Sequence, residues 1–368
     1  MFKRYKLRDY NFILLLSVIA LMVLGVFVIN SADSSFTVKQ AIGVAGAIVI
    51  MIVVSLVDYH LWLKLYLLIY GTGLLFLVAV LLFGNTVNNA TRWFTFGGIT
   101  FQPSELMKTL MILFMAAFLE KMIEEEKVSR PKGLLLFAGS VAIPMFLIFR
   151  QPDLSTTLCL AFIMILMLYL AGLSYKIIFI FLLITIPIVG TFMWYIQKPD
   201  QKLLNQYQVD RIMAFVYPAD HLDDQQANSV MAIGSGQLWG KGLEPEQDVV
   251  TVSNSKLISE QQTDFIFSVI GESFGFVGSI IVIAIILLIV LQCIRASRRA
   301  RDPGGMLLAG GAACLFAIQS FINIGVATAV LPNTGIPLPF ISYGLTSLLS
   351  SAIMIGVVLN VGMQPERY

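Results

Sequence analysis

Ten apolar runs, each close to the length of a membrane span, follow one another along this chain. A helix needs about 20 mostly apolar residues to cross a bilayer. The runs cover residues 10–30, 40–57, 65–84, 104–119, 133–149, 154–172, 177–197, 265–293, 304–331 and 338–361. The sequence therefore predicts an all-α integral membrane protein with about ten transmembrane helices.

The composition excludes several other classes of protein. Hydrophobic residues make up 58% of the chain and charged residues only 12%, whereas a soluble domain has about 25% charged residues. So few charges cannot cover a water-soluble globule, and a net charge of +2 without a basic stripe argues against a nucleic-acid partner. Cys159, Cys293 and Cys314 lie inside apolar runs, which is typical of buried thiols.

The distribution of Lys and Arg predicts the orientation in the membrane. If the N-terminus is inside, the inner segments carry 15 of the 24 basic residues, and the short outer loops carry only Lys39, Arg92 and Arg150. Cytoplasmic loops are the ones enriched in Lys and Arg. We therefore expect both termini on the cytoplasmic side of the membrane.

One outer loop, about residues 198–264, separates the seventh and eighth spans and holds 15 of the 46 charged residues. Loops of this length are usually functional or disordered. Residues 206–216 and 227–233 have helical apolar spacing, and four glycines follow between 234 and 242. We interpret the chain as a single membrane domain, residues 1–368, that contains this large extracytoplasmic loop.

Ionisable residues at membrane depth are candidate site residues, because burying each one costs roughly 2.5–3.5 kcal/mol. Glu105 and Lys108 share a face of the fourth span. They form either a mutual ion pair or a unit in which Lys108 binds an anionic ligand and Glu105 orients it. Arg92 and Trp93 are either an interfacial anchor or part of a phosphate-binding site.

Two further carboxylates stand where a polar segment meets an apolar one. Asp153 follows Pro152 and either caps the sixth span or lines a cavity. Asp264 opens the eighth span, with Glu272 eight positions later. Asp264 is either a partner of the helix dipole or, with a pKa raised by its low-dielectric surroundings, a general base.

The last polar groups lie near the C-terminal spans. Asn323 is inside the ninth span, and residues 331–340 contain three prolines and a glycine, which forbid a regular helix. This segment is either a rigid outer turn or a shaped wall for a ligand. Most of these groups fall near outer span ends, which predicts an outward-facing site with four candidate phosphate partners: Arg92, Lys108, Arg211 and Lys241.

These motifs together resemble the SEDS family, which includes RodA, FtsW and SpoVE, over nearly the whole chain. A segment at 207–212 and the short tails are more similar to the RodA branch, whereas Leu345–Ser347 departs from the usual Gly-Ser-Ser. The blocks that carry the resemblance are Arg92–Trp93, Phe101–Leu106 with Lys108, Gln151–Leu154, Ala232–Gly236 with Gly240–Gly242, Thr263–Phe267 with Gly271–Glu272, and Asn323 with Thr334–Phe340 and Ser342–Gly344.

The resemblance implies a peptidoglycan glycosyltransferase that polymerises lipid II at the outer face of the bacterial cytoplasmic membrane. Asp264 matches the family's essential acidic residue, and we expect it to act as general base. Arg92, Lys108 and Lys241 are expected to balance the pyrophosphate. The other predicted substrate-binding residues are Trp93, Glu105, Asp153, Glu272, Asn323 and Ser342.

The resemblance also implies partners. A class B penicillin-binding protein, a transpeptidase, is the expected protein partner. A divalent cation, Mg²⁺ or Mn²⁺, is a further expectation, although no ligand set can be read from the sequence. The alternative function is a transporter, a lipid II flippase, which would need a site near the membrane midplane that is accessible from both faces.

Overall fold

The computed structural model describes residues 9–87, 90–96, 99–198, 209, 224–243, 258 and 260–364. Within these residues each predicted span is a helix of 17 residues or more, and seven are long and apolar enough to cross a membrane by length and composition alone. The prediction of an all-α membrane protein is confirmed. The helices are α1 (Phe12–Ala32), α2 (Thr37–Ser55), α3 (Tyr59–Lys64), α4 (Tyr66–Phe83), α5 (Pro103–Glu124), α6 (Pro131–Phe149), α7 (Leu154–Leu170), α8 (Tyr175–Ile196), α9 (Asp224–Ser235), α10 (Ile266–Arg298), α11 (Pro303–Ala327) and α12 (Leu345–Gly362).

Helix starts follow local sequence signals. Proline occupies the first position of α5, α6 and α11, where its missing N–H would have had no partner within the helix. At the starts of α1, α3, α7 and α11, a side-chain oxygen of the residue before the helix accepts a hydrogen bond from a backbone N–H of the first turn. These capping residues are Asn11, Asp58, Asp153 and Asp302.

A small antiparallel sheet connects α4 to α5 and was not predicted. Its strands are β1 (Asn85–Val87), β2 (Ala90–Phe96) and β3 (Ile99–Phe101), paired in the order β1-β2-β3. The strands are too short for a clear alternating pattern, which is the usual sequence signal of a strand. The sheet matters for the site because it carries Arg92 and Trp93 to the start of α5.

Helix α11 lies at the centre of the bundle. It packs against α5, α7, α10 and α12, and most of its residues are buried. A Cβ atom on Gly311 would lie only 2.6 Å from the Ile112 side chain of α5. Small residues of this kind let membrane helices approach closely.

The outer loop is described in part. Helix α9 confirms the helical spacing of residues 227–233, whereas residues 206–216, Val209 excepted, lie outside the described part of the chain. Behind α9, residues 236–242 dock on a break in α10 at Gly275, which has φ 66° and ψ −163°. Phe276 and Val277 N–H donate to the carbonyls of Gln237 and Leu238 at 2.8 and 3.1 Å. The loop thus pairs backbone groups that the broken helix would leave without partners.

A charged cluster at the opposite end of the bundle from Asp264 links α3 to α11. His60 Nδ1 lies 2.7 Å from Asp58 and its Nε2 lies 3.1 Å from Asp302. The hydrogen bond to Asp302 raises the pKa of His60. Tyr59 also donates its hydroxyl to Asp302 at 2.5 Å, so one carboxylate joins two side chains of α3.

The close contact of the docked loop with α10 yields a stability prediction. A Cβ atom on Gly236 would lie 2.0 Å from the Gly271 carbonyl oxygen. We expect Gly236→Ala to lower the free energy of unfolding by about 1–3 kcal/mol, as overpacking does. Thermal unfolding of the detergent-solubilised protein measures the change.

The neighbouring Gly234 supplies a matched control, because a Cβ atom there would meet nothing within 4 Å. Gly234→Ala should keep or slightly raise the melting temperature, since alanine favours a helix. Equal melting temperatures for the two variants would contradict the docked arrangement.

Candidate functional site

Asp264 lies two residues before α10, half-buried against the proline-rich segment. We call residues 331–344 the wall segment. It contains no helix, as predicted for residues 331–340. The tenth predicted span, 338–361, is wrong over residues 338–344, because the helix begins only at Leu345, after the proline-rich stretch. Gly335 of the wall segment has φ +71°, and a Cβ atom there would lie 3.4 Å from Asp264 Oδ2. Any side chain larger than hydrogen would be strained and would contact the carboxylate.

Burial raises the pKa of Asp264 to about 7. The negative charges of Glu260, Asp153 and Glu105 contribute in the same direction. A carboxyl group with a pKa near neutrality can accept a proton at physiological pH and release it again. Hydrogen bonds connect the segment that carries Asp264 to the start of α5 through residues 343–346: Tyr343 N–H donates to the Gln262 carbonyl at 2.9 Å, and Gln102 N–H donates to Thr346 Oγ1 at 3.1 Å.

Glu105 and Lys108 form a buried ion pair in the first turns of α5. Lys108 Nζ lies 2.6 Å from Glu105 Oε1, and the two side chains are 1% and 5% exposed. Of the two alternatives for these residues, the structure shows the mutual ion pair. Whether Lys108 also binds an anionic ligand stays a prediction.

Asp153 caps α7 and at the same time joins two other elements. Its Oδ1 accepts the N–H of Thr156 at 3.1 Å, and its Oδ2 lies 3.5 Å from Gln102 Nε2 and 3.9 Å from Arg92 Nη1. Asp153 therefore acts as a helix cap and is also part of the polar site. Asp153 is 4% exposed, and these partners offset the cost of burying its polar atoms.

Arg92 holds the turn between α6 and α7 from the small sheet. Its Nε donates to the Gln151 carbonyl at 3.0 Å and its Nη2 to the Pro152 carbonyl. The guanidinium carbon lies 5.8 Å from the ring centroid of Trp93. About a quarter of the Arg92 side chain is exposed, so the residue is partly engaged in structure and partly accessible.

Lys241 and Glu272 pair with each other away from this cluster. Lys241 Nζ lies 2.9 Å from Glu272 Oε1, and Ser235 also contacts that oxygen at 3.4 Å. Glu272 lies eight residues after Asp264, roughly 12 Å along the helix axis. The pair fastens the docked loop to α10. The fourth candidate phosphate partner, Arg211, lies outside the described residues.

Asn323 and Ser342 bind backbone groups around Asp264. Asn323 Nδ2 donates to the Asp264 carbonyl at 2.9 Å, and Ser342 Oγ donates to the Thr263 carbonyl at 2.7 Å. Both side chains are buried, at 0% and 5% exposed. The structure brings these predicted residues to Asp264, but they bind backbone carbonyls of this segment and not the carboxylate.

Three residues of the site were not singled out from the sequence. Gln102 joins Asp153 to Ser104, and its N–H donates to Thr346 Oγ1 at 3.1 Å. Thr346 lies in the segment that departs from the Gly-Ser-Ser pattern, which is the only sequence signal it offers. Gly335 stands in a proline-rich stretch, and its closeness to Asp264 depends on tertiary packing.

The described residues contain no group of three or more His, Cys, Asp and Glu side chains arranged to hold a metal ion. Of the carboxylates that act on Asp264, Glu105 is engaged by Lys108, Asp153 by Thr156 and Gln102, and Glu260 by Thr263. These residues as placed do not form a cation site. A divalent cation stays a prediction from the family resemblance.

The fold and the site define a multi-pass α-helical membrane protein with a buried, mixed-charge site at one end of its bundle. Comparison with known proteins gives the family. The profile of the cell cycle protein family FtsW/RodA/SpoVE matches residues 7–367. The chain belongs to this family, as the motifs predicted.

Individual relatives match at nearly full length. A probable peptidoglycan glycosyltransferase FtsW of Trichlorobacter lovleyi is 33% identical over 98% of this chain and 94% of its own. Peptidoglycan glycosyltransferase MrdB of Escherichia coli is 31% identical over 95% and 92%. Because both match similarly, the closer likeness to the RodA branch stays a prediction.

Solved structures share the fold. A peptidoglycan synthase complex, described as coordinating polymerization and crosslinking, contains a chain that superposes with a TM-score of 0.79 at 26% identity, covering 96% of this chain and 97% of the other. Rod shape determining protein RodA of Thermus thermophilus gives a TM-score of 0.70 at 25% identity and 96% coverage of both chains.

The Glu105–Lys108 pair yields a double-variant prediction. Glu105→Gln or Lys108→Met alone leaves a buried charge without its partner, which should lower the free energy of unfolding by about 3–5 kcal/mol. The double variant removes both charges and should recover most of that loss. Thermal unfolding of the four proteins gives the coupling energy. Additive losses would show that the two charges do not stabilise each other.

Proposed function

We propose that this protein is a peptidoglycan glycosyltransferase that polymerises lipid II into β-1,4-linked glycan strands for the bacterial cell wall. The observation that carries the proposal is Asp264, a half-buried carboxylate with a pKa of about 7 beside a rigid wall segment. Relatives named as peptidoglycan glycosyltransferases match the chain at nearly full length and support the same function.

In the proposed reaction Asp264 is the general base. It removes the proton from the C4 hydroxyl of the acceptor sugar as that oxygen attacks C1 of the donor. The new C1–O bond forms while the bond from C1 to the phosphate oxygen breaks, and undecaprenyl pyrophosphate leaves with the electron pair. The proton rests on Asp264 until water takes it.

The leaving pyrophosphate needs positive charge as the bond breaks. Arg92 is about a quarter exposed and Lys241 about a fifth, whereas Lys108 is 1% exposed and bound to Glu105. Arg92 is therefore the best placed of these cations to meet a phosphate oxygen with its outer guanidinium nitrogens. Lys108 does not contact the phosphate in this proposal, and its positive charge offsets the negative charges of Glu105 and Asp153.

The assignment of Asp264 predicts a pH dependence. The base must be ionised, so polymerisation by the wild type should rise with pH until the pH exceeds about 7. Asp264→Asn has no ionisable group and should lower the rate by about 100-fold or more. The measurement is glycan chain formation by the purified full-length protein, with a transpeptidase partner, from supplied lipid II.

Glu260→Gln serves as the matched control, because Glu260 raises the pKa of Asp264 without being assigned a chemical role. This variant should keep its maximal rate and shift the acid limb of the profile to lower pH. Full activity of a folded Asp264→Asn variant would refute the general-base role. Movement of lipid II across liposomes without polymer would instead support a flippase.

The proposed protein partner is a class B penicillin-binding protein that crosslinks the new strands. The structural relative with a TM-score of 0.79 is part of a complex described as coordinating polymerization and crosslinking. The superposition covers 97% of that chain, which supports a partner of the same kind for this protein.

We also propose that the chain lies in the cytoplasmic membrane with both termini in the cytoplasm and the Asp264 end outside. The excess of Lys and Arg on the inner segments supports this orientation. Asp264 would then face the side where cell-wall polymer is made.

Cysteine labelling of intact cells tests the orientation. Ser35 follows α1 and Ser129 follows α5, and both are exposed. Ser35→Cys should react with a membrane-impermeant maleimide, whereas Ser129→Cys should react only after lysis. The native Cys159 and Cys293 are buried and give little background, and the partly exposed Cys314 is replaced by serine in both variants. The reverse labelling pattern would overturn the orientation.

A further inference from the structure

Three consecutive backbone carbonyls next to the proposed base each accept a hydrogen bond from α11 or the wall segment. The three bonds join Asn323 Nδ2 to Asp264 O at 2.9 Å, Ser342 Oγ to Thr263 O at 2.7 Å, and Tyr343 N to Gln262 O at 2.9 Å. Such a run of bonds fixes both the position and the direction of the segment that carries Asp264.

Residues 262–264 have little else to hold their backbone. They lie between the outer loop and the first turn of α10, and the N–H groups of Thr263 and Asp264 reach only the Glu260 carbonyl, at 3.2 Å. This is a single turn outside any regular helix. The carbonyl bonds from Asn323 and Ser342 are therefore the main restraint that side chains supply here.

The donor hydrogens of both side chains are used within the protein, whereas Asn323 Oδ1 is buried and has no hydrogen-bond partner among the described residues. Asn323 Nδ2 donates its second hydrogen to the Ile336 carbonyl at 2.9 Å, and Ser342 Oγ accepts the Leu338 N–H at 2.7 Å. Each residue thus connects the base segment to the wall segment. With its donor hydrogens engaged and its surface buried, neither has a hydrogen to offer a sugar or a phosphate.

We propose that Asn323 and Ser342 are positioning residues, which hold the backbone of residues 262–264 so that the Asp264 carboxylate stays against Gly335. The proposal rests on the proposed glycosyl transfer and deepens it. It assigns to these two residues a role different from the substrate contact that sequence analysis predicted for them.

The role has a kinetic consequence. A base displaced by about 1 Å can lower the rate of the chemical step by about 100-fold. Substrate affinity does not depend on the bonds, because they do not reach the ligand. Loss of one bond should therefore lower kcat and leave KM for lipid II nearly unchanged.

The role also has a consequence for the pH profile. Asp264 faces Glu260 from its own segment, Glu105 with its partner Lys108 from α5, and Asp153 with Arg92 from the start of α7 and the sheet. Burial is the largest cause of its raised pKa. A loosened segment admits water to the carboxylate, so the acid limb of the profile should move to lower pH.

Ser342→Ala is the first test, because it removes the hydroxyl and little volume. We expect kcat for lipid II polymerisation to fall about 10- to 100-fold, KM to change less than threefold, and the acid limb to shift to lower pH. Ser342→Thr retains a hydroxyl and should recover most of the rate. Asn323→Ala, which removes the bond to the Asp264 carbonyl, should have the same signature.

Ser297→Ala is the matched control. Ser297 Oγ donates to the Met306 carbonyl at 2.7 Å, a bond of the same kind at the opposite end of α10. This variant should keep wild-type kcat and pH profile. The melting temperature of each protein is measured. The kinetic test needs only one of the two site variants, Ser342→Ala or Asn323→Ala, to have the same melting temperature as the control.

The outcomes separate this proposal from the proposed function. A rise in KM with unchanged kcat would show that Ser342 and Asn323 contact substrate, and it would overturn the positioning role while leaving the glycosyltransferase intact. An equal loss in Ser297→Ala would reduce the effect to stability and overturn the role as well. Absence of polymer with the wild type would reject the proposed function itself.

Discussion

The constraint that governs this structure is that backbone N–H and C=O groups in an apolar bundle must be paired within the protein. Regular helices satisfy it automatically, so the informative places are those where a helix is interrupted. At Gly275 the docked loop supplies the missing partners for Phe276 and Val277. In the wall segment, the carbonyl of Ile336 accepts a hydrogen bond from Asn323, and the N–H of Leu338 donates one to Ser342. Both irregular regions adjoin α10, the helix that Asp264 precedes.

The same reasoning explains why the charges of the site come in groups. Glu105 has Lys108, Asp153 has Gln102 with a distant Arg92, and Glu272 has Lys241. Asp264 differs, because the charges that raise its pKa are the like charges of Glu260, Asp153 and Glu105. A half-buried carboxylate with these negative charges nearby holds a proton more readily. That electrostatic difference separates the proposed base from the carboxylates that organise the site.

The sequence predicted the spans and the residues of the site, but it did not predict which of these residues contact each other. Ten apolar runs became ten helices because span length and hydrophobicity are local properties. Of the two alternatives for Asp153, the cap is observed, and Pro152 before it is a local signal for such a helix start. The pairing of Lys241 with Glu272 and the use of Asn323 for the Asp264 carbonyl depend on contacts across 31 and 59 residues. No periodicity encodes such contacts, and the small sheet was missed because its strands are too short to show one.

The placement of the charges bears on the choice between an enzyme and a transporter. A carrier needs its site near the membrane midplane, where it can be reached from both faces. Here Glu105 is in the first turn of α5, Asp153 precedes α7, and Asp264 precedes α10. All three stand where helices begin, at the same end of the bundle. Below them the interior is closed by the packing of α11 against α5 and α7, with Ile112 and Met167 meeting Gly311. A site at one end of the bundle, with a packed interior below it, suits a reaction whose substrates arrive, and whose products leave, on one side of the membrane.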